Sequence, residues 1–323
     1  MTRILTGVQS TGTPHLGNLL GAILPAIEMA KDPKNESFLF IADLHSLTQI
    51  KDSEVMMENT YSTAAVWLAC GLNSQRTVFY RQSDIPEVTE LMWYLLSFFS
   101  FQRLTLAHSF KDKADRLNDV NGALFTYPIL MAADILLFDA HEVPVGKDQE
   151  QHLEITRDVA EKFNLQMGET FVVPKTKVSE ETKTVPGTNG GKMSKSANNF
   201  INIFLSDKQL RKQVMSIETD SKGLEEPKDP DTCNIVTIYK LLATPEQIEA
   251  ICQKYLAGNY GYGHAKQELF ELILEKFKNE RERYTYLMEN KAEIDKELLK
   301  GAEKARKVAK EVLQRTRKKL GYL

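Results

Sequence analysis

The sequence predicts an α/β fold, a doubly wound parallel sheet with an inserted, mainly helical domain, and three observations carry that prediction. Up to about residue 175, short apolar runs of strand length alternate with segments at helical spacing, the rhythm of strands joined by crossover helices. The chain opens as strand, then a loop punctuated by Gly7, Gly12 and Pro14, then helix. Farther on it turns helical, and Ser206 to Gln209 and Thr244 to Gln247 each match the Ser/Thr-x-x-Gln capping box, the second with Pro245 at the first helical position.

Taken in order, residues 3 to 8 form a short strand and Leu16 to Met29 an amphipathic helix. Phe38 to Ala42 and Thr77 to Tyr80 read as buried strands separated by a helix over Val55 to Ala69. Glu87 to Phe101 and Pro128 to Phe138 are helical, Glu142 to Val145 is a strand, and Gln149 to Phe163 is again a helix. Lys175 to Ser196 is rich in Lys, Thr and Gly with little periodicity, which predicts a mobile surface loop. Helices resume from about 207 to 290. The segment 300 to 323 sets nine Lys or Arg against Glu303 and Glu311, with an apolar stripe of Ala305, Val308, Ala309, Val312 and Leu313. It predicts a basic amphipathic helix docked back on the body, either contacting RNA phosphates through Arg315, Arg317, Lys318 and Lys319 or serving only as a strap.

At 323 residues, with 42% hydrophobic and 26% charged, the chain can bury a large core. The net charge of -3 excludes an overall basic field, so RNA contacts must use local patches. Cys70, Cys233 and Cys252 are odd in number and far apart, matching neither a disulfide framework nor paired zinc ligands. The amino terminus carries no apolar signal core, and no run reaches the roughly 18 apolar residues of a membrane span. These features predict a soluble, cytoplasmic protein. His108, His141, His152 and His264 lack paired ligand spacing and read as satisfied surface or core histidines.

Four segments carry chemistry. Gly12-Thr13-Pro14-His15-Leu16-Gly17-Asn18 lies at a strand-to-helix junction, where unpaired N–H groups and the helix dipole attract phosphate. His15 and Asn18 can donate to phosphate oxygens; a plain capped helix start is the alternative. Gly190-Gly191-Lys192-Met193-Ser194-Lys195-Ser196 places two lysines on a loop that can close over a polyphosphate, or is simply a solvated basic loop. It is no P-loop, since Pro186 and Met193 stand where that pattern needs Gly and Ser or Thr. Tyr127-Pro128-Ile129-Leu130-Met131-Ala132-Ala133-Asp134-Ile135-Leu136-Leu137 is an apolar helix with one acid, and its spacing puts Tyr127, Met131 and Asp134 on one face. A buried Asp134 requires a donor, from an internal Arg or Lys or from a ligand N–H. In Val143-Pro144-Val145-Gly146-Lys147-Asp148-Gln149-Glu150-Gln151-His152 a strand ends in Gly and a helix begins, the place where open α/β sheets bind ligands. Asp148 suits ribose hydroxyls there, or a helix cap.

His15-Leu16-Gly17-Asn18 and Lys192-Met193-Ser194-Lys195-Ser196 together resemble the HIGH and KMSKS motifs of class I aminoacyl-tRNA synthetases, with asparagine in place of the second histidine. The segments at 127 to 137 and 143 to 152 closely resemble the tryptophanyl family, and the likeness spans essentially the whole chain. It implies a Rossmann-like catalytic domain over 1–200, a helical anticodon-binding domain over 201–295 and a terminal basic helix over 296–323. It also implies that ATP activates L-tryptophan as an adenylate, which tRNA(Trp) then accepts. By that resemblance His15, Asn18, Lys113, Lys192 and Lys195 stabilise the transition state. Gln9, Gly17, Gly146, Asp148, Met193 and Ser196 join Asn18, Lys192 and Lys195 in holding ATP. Leu5, Gly7, His45, Tyr127, Met131, Asp134, Ile135, Val143, Val145 and Gln149 hold tryptophan, with Asp134 receiving the indole N–H. The family further implies a homodimer bridged by tRNA and Mg²⁺ brought in with ATP. The cysteines cannot supply the four ligands of the iron-sulfur cluster that some relatives carry, so neither that cluster nor zinc is expected. The rivals are a tyrosyl-tRNA synthetase, whose later motif reads Gly-Ser-Asp-Gln, a coenzyme-making nucleotidyltransferase, and a paralogue that binds tryptophan or RNA without charging.

Overall fold

A computed structural model describes residues 1–106, 121–146, 149–178 and 185–322. At its centre β1 (Thr2–Val8), β2 (Asn35–Ile41), β3 (Val78–Arg81), β4 (Glu142–Val145) and β5 (Lys175–Val178) form one five-stranded sheet in the order β3-β2-β1-β4-β5. All four pairings are parallel, with β1 matched to β2 from Thr2↔Asn35 to Val8↔Ile41 and to β4 at Ile4↔Glu142. The chain steps outward from β1 to β3, then crosses back to β4, so the winding reverses between β1 and β4. The crevice beyond the carboxyl ends of those two strands is the place such sheets use for ligands.

The parallel sheet agrees with the sequence reading, but β5 falls inside the stretch expected to be a mobile loop. Its four residues, Lys-Thr-Lys-Val, carry no apolar alternation, and among the described residues it pairs with β4 alone. The later part of that stretch is not a free surface loop either, since Val185, Thr188 and Met193 are buried.

The sheet is covered on both faces, which is why β2 reads as an unbroken apolar run. Leu39 and Ile41 enter one core with Leu16, Leu19, Ile23 and Trp67; Phe38 and Phe40 enter the other with Ile129, Ile135 and Phe163. The helices of this part are α1 (Leu16–Asn18), α2 (Leu24–Lys31), α3 (Asp43–Ser46), α4 (Ser53–Ala69), α5 (Glu87–Leu96), α6 (Phe101–Leu104), α7 (Gly122–Leu136) and α8 (Glu150–Met167). A π-helical stretch, Leu19–Ile23, joins α1 to α2 just ahead of Pro25. Proline has no N–H for the ordinary ladder, and a π-bulge absorbs that mismatch next to the loop where the site begins.

Helices α9 (Asp207–Met215), α10 (Asn234–Lys240), α11 (Pro245–Ala257), α12 (Tyr262–Lys276) and α13 (Lys278–Glu289) follow. Their buried side chains, among them Leu210, Ile235, Ile251 and Leu269, share one continuous core with Leu16, Leu39 and Trp67. Thr244 forms the expected reciprocal capping box with Gln247. Ser206 does not cap α9; its hydroxyl donates to the Gln209 side chain at 2.9 Å instead.

The last helix, α14 (Lys291–Lys319), begins well before residue 300 and returns to the sheet. It packs along β3, and Gly301 makes this possible: a Cβ there would lie 1.7 Å from the Phe79 carbonyl oxygen. Ala302, Ala305, Ala309, Val312 and Leu313 continue the seal into the core. An edge strand that would otherwise present bare backbone is thereby covered. Its arginines point to protein carboxylates: Arg306 to Glu87 at 2.9 Å, Arg315 to Asp139 at 2.9 Å, and Arg317 to Glu90 at 3.3 Å. Arg315 also donates to the Thr170 carbonyl at 2.8 Å. Two of the four residues expected to face RNA phosphates are therefore engaged inside the protein.

Candidate active site

A cleft of about 1330 Å³ opens at the carboxyl ends of β1 and β4. Its apolar end is lined by Leu5, Gly7, His45, Tyr127, Met131, Asp134, Ile135, Val143, Val145 and Gln149, and its other end by Gln9, His15, Gly17, Asn18, Gly146, Lys192, Met193, Lys195 and Ser196. Residues far apart in sequence thus meet in one space. Lys113 and Asp148 lie outside the described residues.

At the apolar end α7 presents Tyr127, Met131, Asp134 and Ile135, as helical spacing requires. Phe40 of β2 also lines this end, with its ring lying over its strand neighbour Gly7. A Cβ on Gly7 would come within 2.4 Å of that ring. Glycine at 7 therefore lets Phe40 serve as an aromatic wall beside Leu5, a contribution the sequence reading missed. Tyr127 is held edge-on between His45 and His152, with ring centroids 5.1 and 5.0 Å away, and its hydroxyl meets Gln149 Oε1 at 3.4 Å. His152, 2% exposed, is thus a core histidine that braces this wall.

Asp134 is 2% exposed, and its partner is neither Arg nor Lys. Gln82 Nε2 donates to both carboxylate oxygens, at 2.7 Å to Oδ1 and 2.8 Å to Oδ2, and His45 Nε2 lies 2.8 Å from Oδ2. Burial raises the Asp134 pKa, and the bonds from His45 and Gln82 act against that rise. Gln82 was not singled out from the sequence. The signal available was its place, a polar residue directly after β3 at the carboxyl end of a sheet strand.

At the other end, His15 caps α1. Its Nδ1 accepts from the Asn18 backbone N–H at 3.2 Å, while Asn18 Oδ1 accepts from the His15 N–H at 3.1 Å. Burial, and secondarily the Lys195 charge, push the His15 pKa down to about 4, so the imidazole is neutral near pH 7. Because Nδ1 is an acceptor, the ring proton sits on Nε2. Both side chains use their acceptors on the backbone and retain donors, His15 Nε2–H and the Asn18 amide. Donors are what a polyphosphate needs, which explains how asparagine serves where the second histidine of the motif stands.

The lysine loop is docked against this start of α1. Gly17 N–H meets Met193 Sδ at 3.3 Å, and the Leu16 N–H donates to Ile201 O at 2.8 Å. Lys195 Nζ donates to the carbonyls of Gly12 (2.7 Å) and Thr11 (3.3 Å), and burial lowers its pKa to about 8. Gly12 holds φ at +113°, a conformation suited to glycine. Asn199, 3% exposed, shapes the loop from below: its Oδ1 accepts from Ser194 N–H at 2.8 Å and its amide donates to Lys192 O at 3.1 Å. Asn199 too was missed. Its role depends on a turn that its own side chain creates. Among the described residues no cluster of three or more His, Cys, Asp or Glu could hold a metal ion.

Residues 1–278 match the family model for class I tRNA synthetases of the tryptophan and tyrosine group. The tryptophan–tRNA ligase of Campylobacter jejuni is 46% identical over 319 residues, covering 99% of both chains. That of Fusobacterium nucleatum is 45% identical, covering 100% of this chain and 99% of the relative. The crystal structure of the Campylobacter jejuni enzyme complexed with ADP and tryptophan superposes with a TM-score of 0.95, at 46% identity over 99% of this chain and 100% of that one.

Proposed function

The chain belongs to the class I tRNA synthetases and, within them, to the bacterial tryptophanyl branch, and from that premise we propose how its cleft carries out the ATP-dependent attachment of L-tryptophan to tRNA. The observation that carries the assignment is the polarity of the cleft. One end is apolar with a single buried carboxylate; the other offers donors and ammonium groups. Tryptophan fits the first, through an indole N–H to Asp134 and ring contacts with Phe40, Met131, Val143 and Val145. Tyr127 and Gln149, whose side chains meet at 3.4 Å, are assigned by family resemblance to the amino group. ATP fits the second, beside Gln9, His15, Gly17, Asn18, Gly146 and the Lys192 to Ser196 loop.

In this arrangement the tryptophan carboxylate attacks the α-phosphate in line and pyrophosphate leaves, giving the adenylate. A terminal ribose hydroxyl of tRNA then attacks the activated carbonyl, and AMP leaves. No protein nucleophile is needed. His15 Nε2–H and the Asn18 amide stabilise charge that grows on phosphate oxygens, and Lys192 and Lys195 follow the departing pyrophosphate. Lys113 and Asp148 are assigned by family resemblance, to the phosphates and the ribose. Among the described residues this end offers no carboxylate cluster, and Mg²⁺ would be held by the phosphates and water.

Helices of the 201–295 region are assigned to the anticodon, and a homodimer would let one tRNA span both subunits. Trp93, Phe101 and Leu106, at 70, 65 and 60% exposed, are large apolar side chains that a second copy would have reason to cover. No helix among the described residues is long and apolar enough to cross a membrane, and we place the reaction in the cytoplasm, where tRNA and ATP meet. Purified protein should catalyse tryptophan-dependent exchange of pyrophosphate into ATP and charge tRNA with tryptophan. Tryptophan binding without exchange would instead favour a non-charging paralogue, and exchange driven equally by tyrosine would refute the assigned pocket.

A further inference from the structure

Gln82 is fully buried, does not line the cleft, and has no part in the roles assigned above. Its surroundings nevertheless fix it tightly. Its Oε1 accepts the Leu44 backbone N–H at 3.1 Å, which forces the amide nitrogen to face Asp134. Leu44 belongs to α3, and α3 is fastened to the same turn, since Asp43 accepts from Ser83 N–H at 3.0 Å and from the Ser83 hydroxyl. One clamp thus places both groups that touch Asp134: Gln82 from the turn after β3, and His45 from α3.

The geometry at the carboxylate has a further consequence. A nitrogen 2.7 and 2.8 Å from the two oxygens lies near the bisector of the group and occupies the inner lone pair of each. His45 takes the outer position on Oδ2. A carboxylate offers about four acceptor positions. The one remaining is on Oδ1, and among the described residues no protein donor takes it. Indole brings a single N–H.

We propose that Gln82 is a positioning residue for amino-acid specificity, holding Asp134 in one rotamer so that a single acceptor on Oδ1 is left for a single ligand donor. This rests on the reading that Asp134 receives the indole N–H. Without Gln82 the carboxylate would be free to rotate about its terminal torsion and would lose a donor that supports its ionised form.

The test compares tryptophan with β-(benzothiophen-3-yl)alanine, a near-isostere in which sulfur replaces the N–H, using kcat/KM for amino-acid-dependent pyrophosphate exchange. Gln82→Met keeps the shape and removes the donor. It should lower the value for tryptophan by about 10- to 100-fold, the scale of a lost hydrogen bond to a charged group, while the sulfur analogue changes by less than about threefold and KM for ATP stays put. Losing a bond to the ionised form should also move the acid limb of the tryptophan profile to higher pH. Gln82→Glu, whose carboxyl can share a proton with Asp134, should recover tryptophan at acid pH and lose it as pH rises. An equal fall for both amino acids would overturn the proposal, because a merely structural residue cannot distinguish N–H from sulfur. Asp134→Asn separates the two levels. If it leaves the preference for tryptophan intact, the reading of Asp134 itself fails; if it collapses that preference and Gln82→Met does not, only the role of Gln82 fails.

Discussion

Lys195 gives the ATP half of the cleft its most direct test. Burial lowers its pKa to about 8, because the charged form is less well solvated against the Gly12 and Thr11 carbonyls than in water. The charged form is the one that binds phosphate, so kcat/KM for ATP should fall as pH rises through that value. A lysine with a pKa of about 8 is roughly three-quarters charged at pH 7.5 and about one-tenth at pH 9, which predicts a loss of about eightfold between them. Bound phosphates restore the charge, so kcat should show little of this limb, since it reports the substrate complex. Pyrophosphate exchange at saturating tryptophan from pH 6.5 to 9.5 measures both. Lys195→Arg, which cannot deprotonate in this range, should flatten the limb at lower activity. Lys195→Ala should slow adenylate formation by about 10²- to 10³-fold, taking the loss of an oxyanion donor as the guide. An alkaline limb that persists in Lys195→Arg, or adenylate rates in Lys195→Ala within twofold of the parent, would refute the assignment.

The lowered pKa of His15 makes it a source of acid instability. Between its ordinary value of 6.5 and about 4 the unfolded chain takes up a proton that the folded protein refuses, so stability is lost as pH falls through that window, by on the order of 3 kcal/mol. Urea midpoints of the protein and of His15→Asn, whose side chain can still cap α1, should diverge from pH 7 to pH 4, and parallel curves would contradict the account. Gly301→Ala should destabilise by at least about 1 to 3 kcal/mol despite alanine's better helix propensity, because its Cβ meets the Phe79 carbonyl; an unchanged or raised Tm would disprove this. Arg315→Gln with Arg317→Gln should lower Tm and leave the salt dependence of tRNA affinity unaltered, since both arginines are paired within the protein. A flatter salt slope would return them to the RNA.

What could be read from the sequence was local in sequence. The Gly12 to Asn18 loop and the Lys192 to Ser196 loop each carry their chemistry in a few consecutive residues, and α7 displays Tyr127, Met131 and Asp134 through the helical repeat alone. The strand Glu142–Val145 is legible because Gly146 ends its apolar run, even though Pro144 stands inside it. What could not be read depends on distant partners. Gln82 matters because of Asp134, 52 residues away, and Leu44, 38 residues away. Phe40 becomes a pocket wall only because β2 pairs in a register that sets it over Gly7. Strand β5 is too short and too polar to show a period, and the arginines of α14 look like an RNA face until Glu87, Glu90 and Asp139 are seen opposite them. Ser206 illustrates the reverse error, a local motif whose hydroxyl found Gln209's side chain rather than the helix backbone.

The position of α14 on β3 has a consequence for how the protein is made. Strand β3 ends at Arg81 and its cover begins at Lys291, a separation of 291 − 81 = 210 residues. At about 5 to 20 residues per second, a ribosome needs roughly 10 to 40 s to synthesise that interval. Throughout it the strands β1 to β3 can emerge and collapse, yet one edge keeps its backbone N–H and C=O groups open to any neighbouring chain. The contact that seals the sheet is among the most non-local in the molecule, so its loop-closure cost is paid late. The nascent chain is therefore most exposed to strand-to-strand association in the interval before its final helix arrives, and a chaperone that shields β3 would act in that interval.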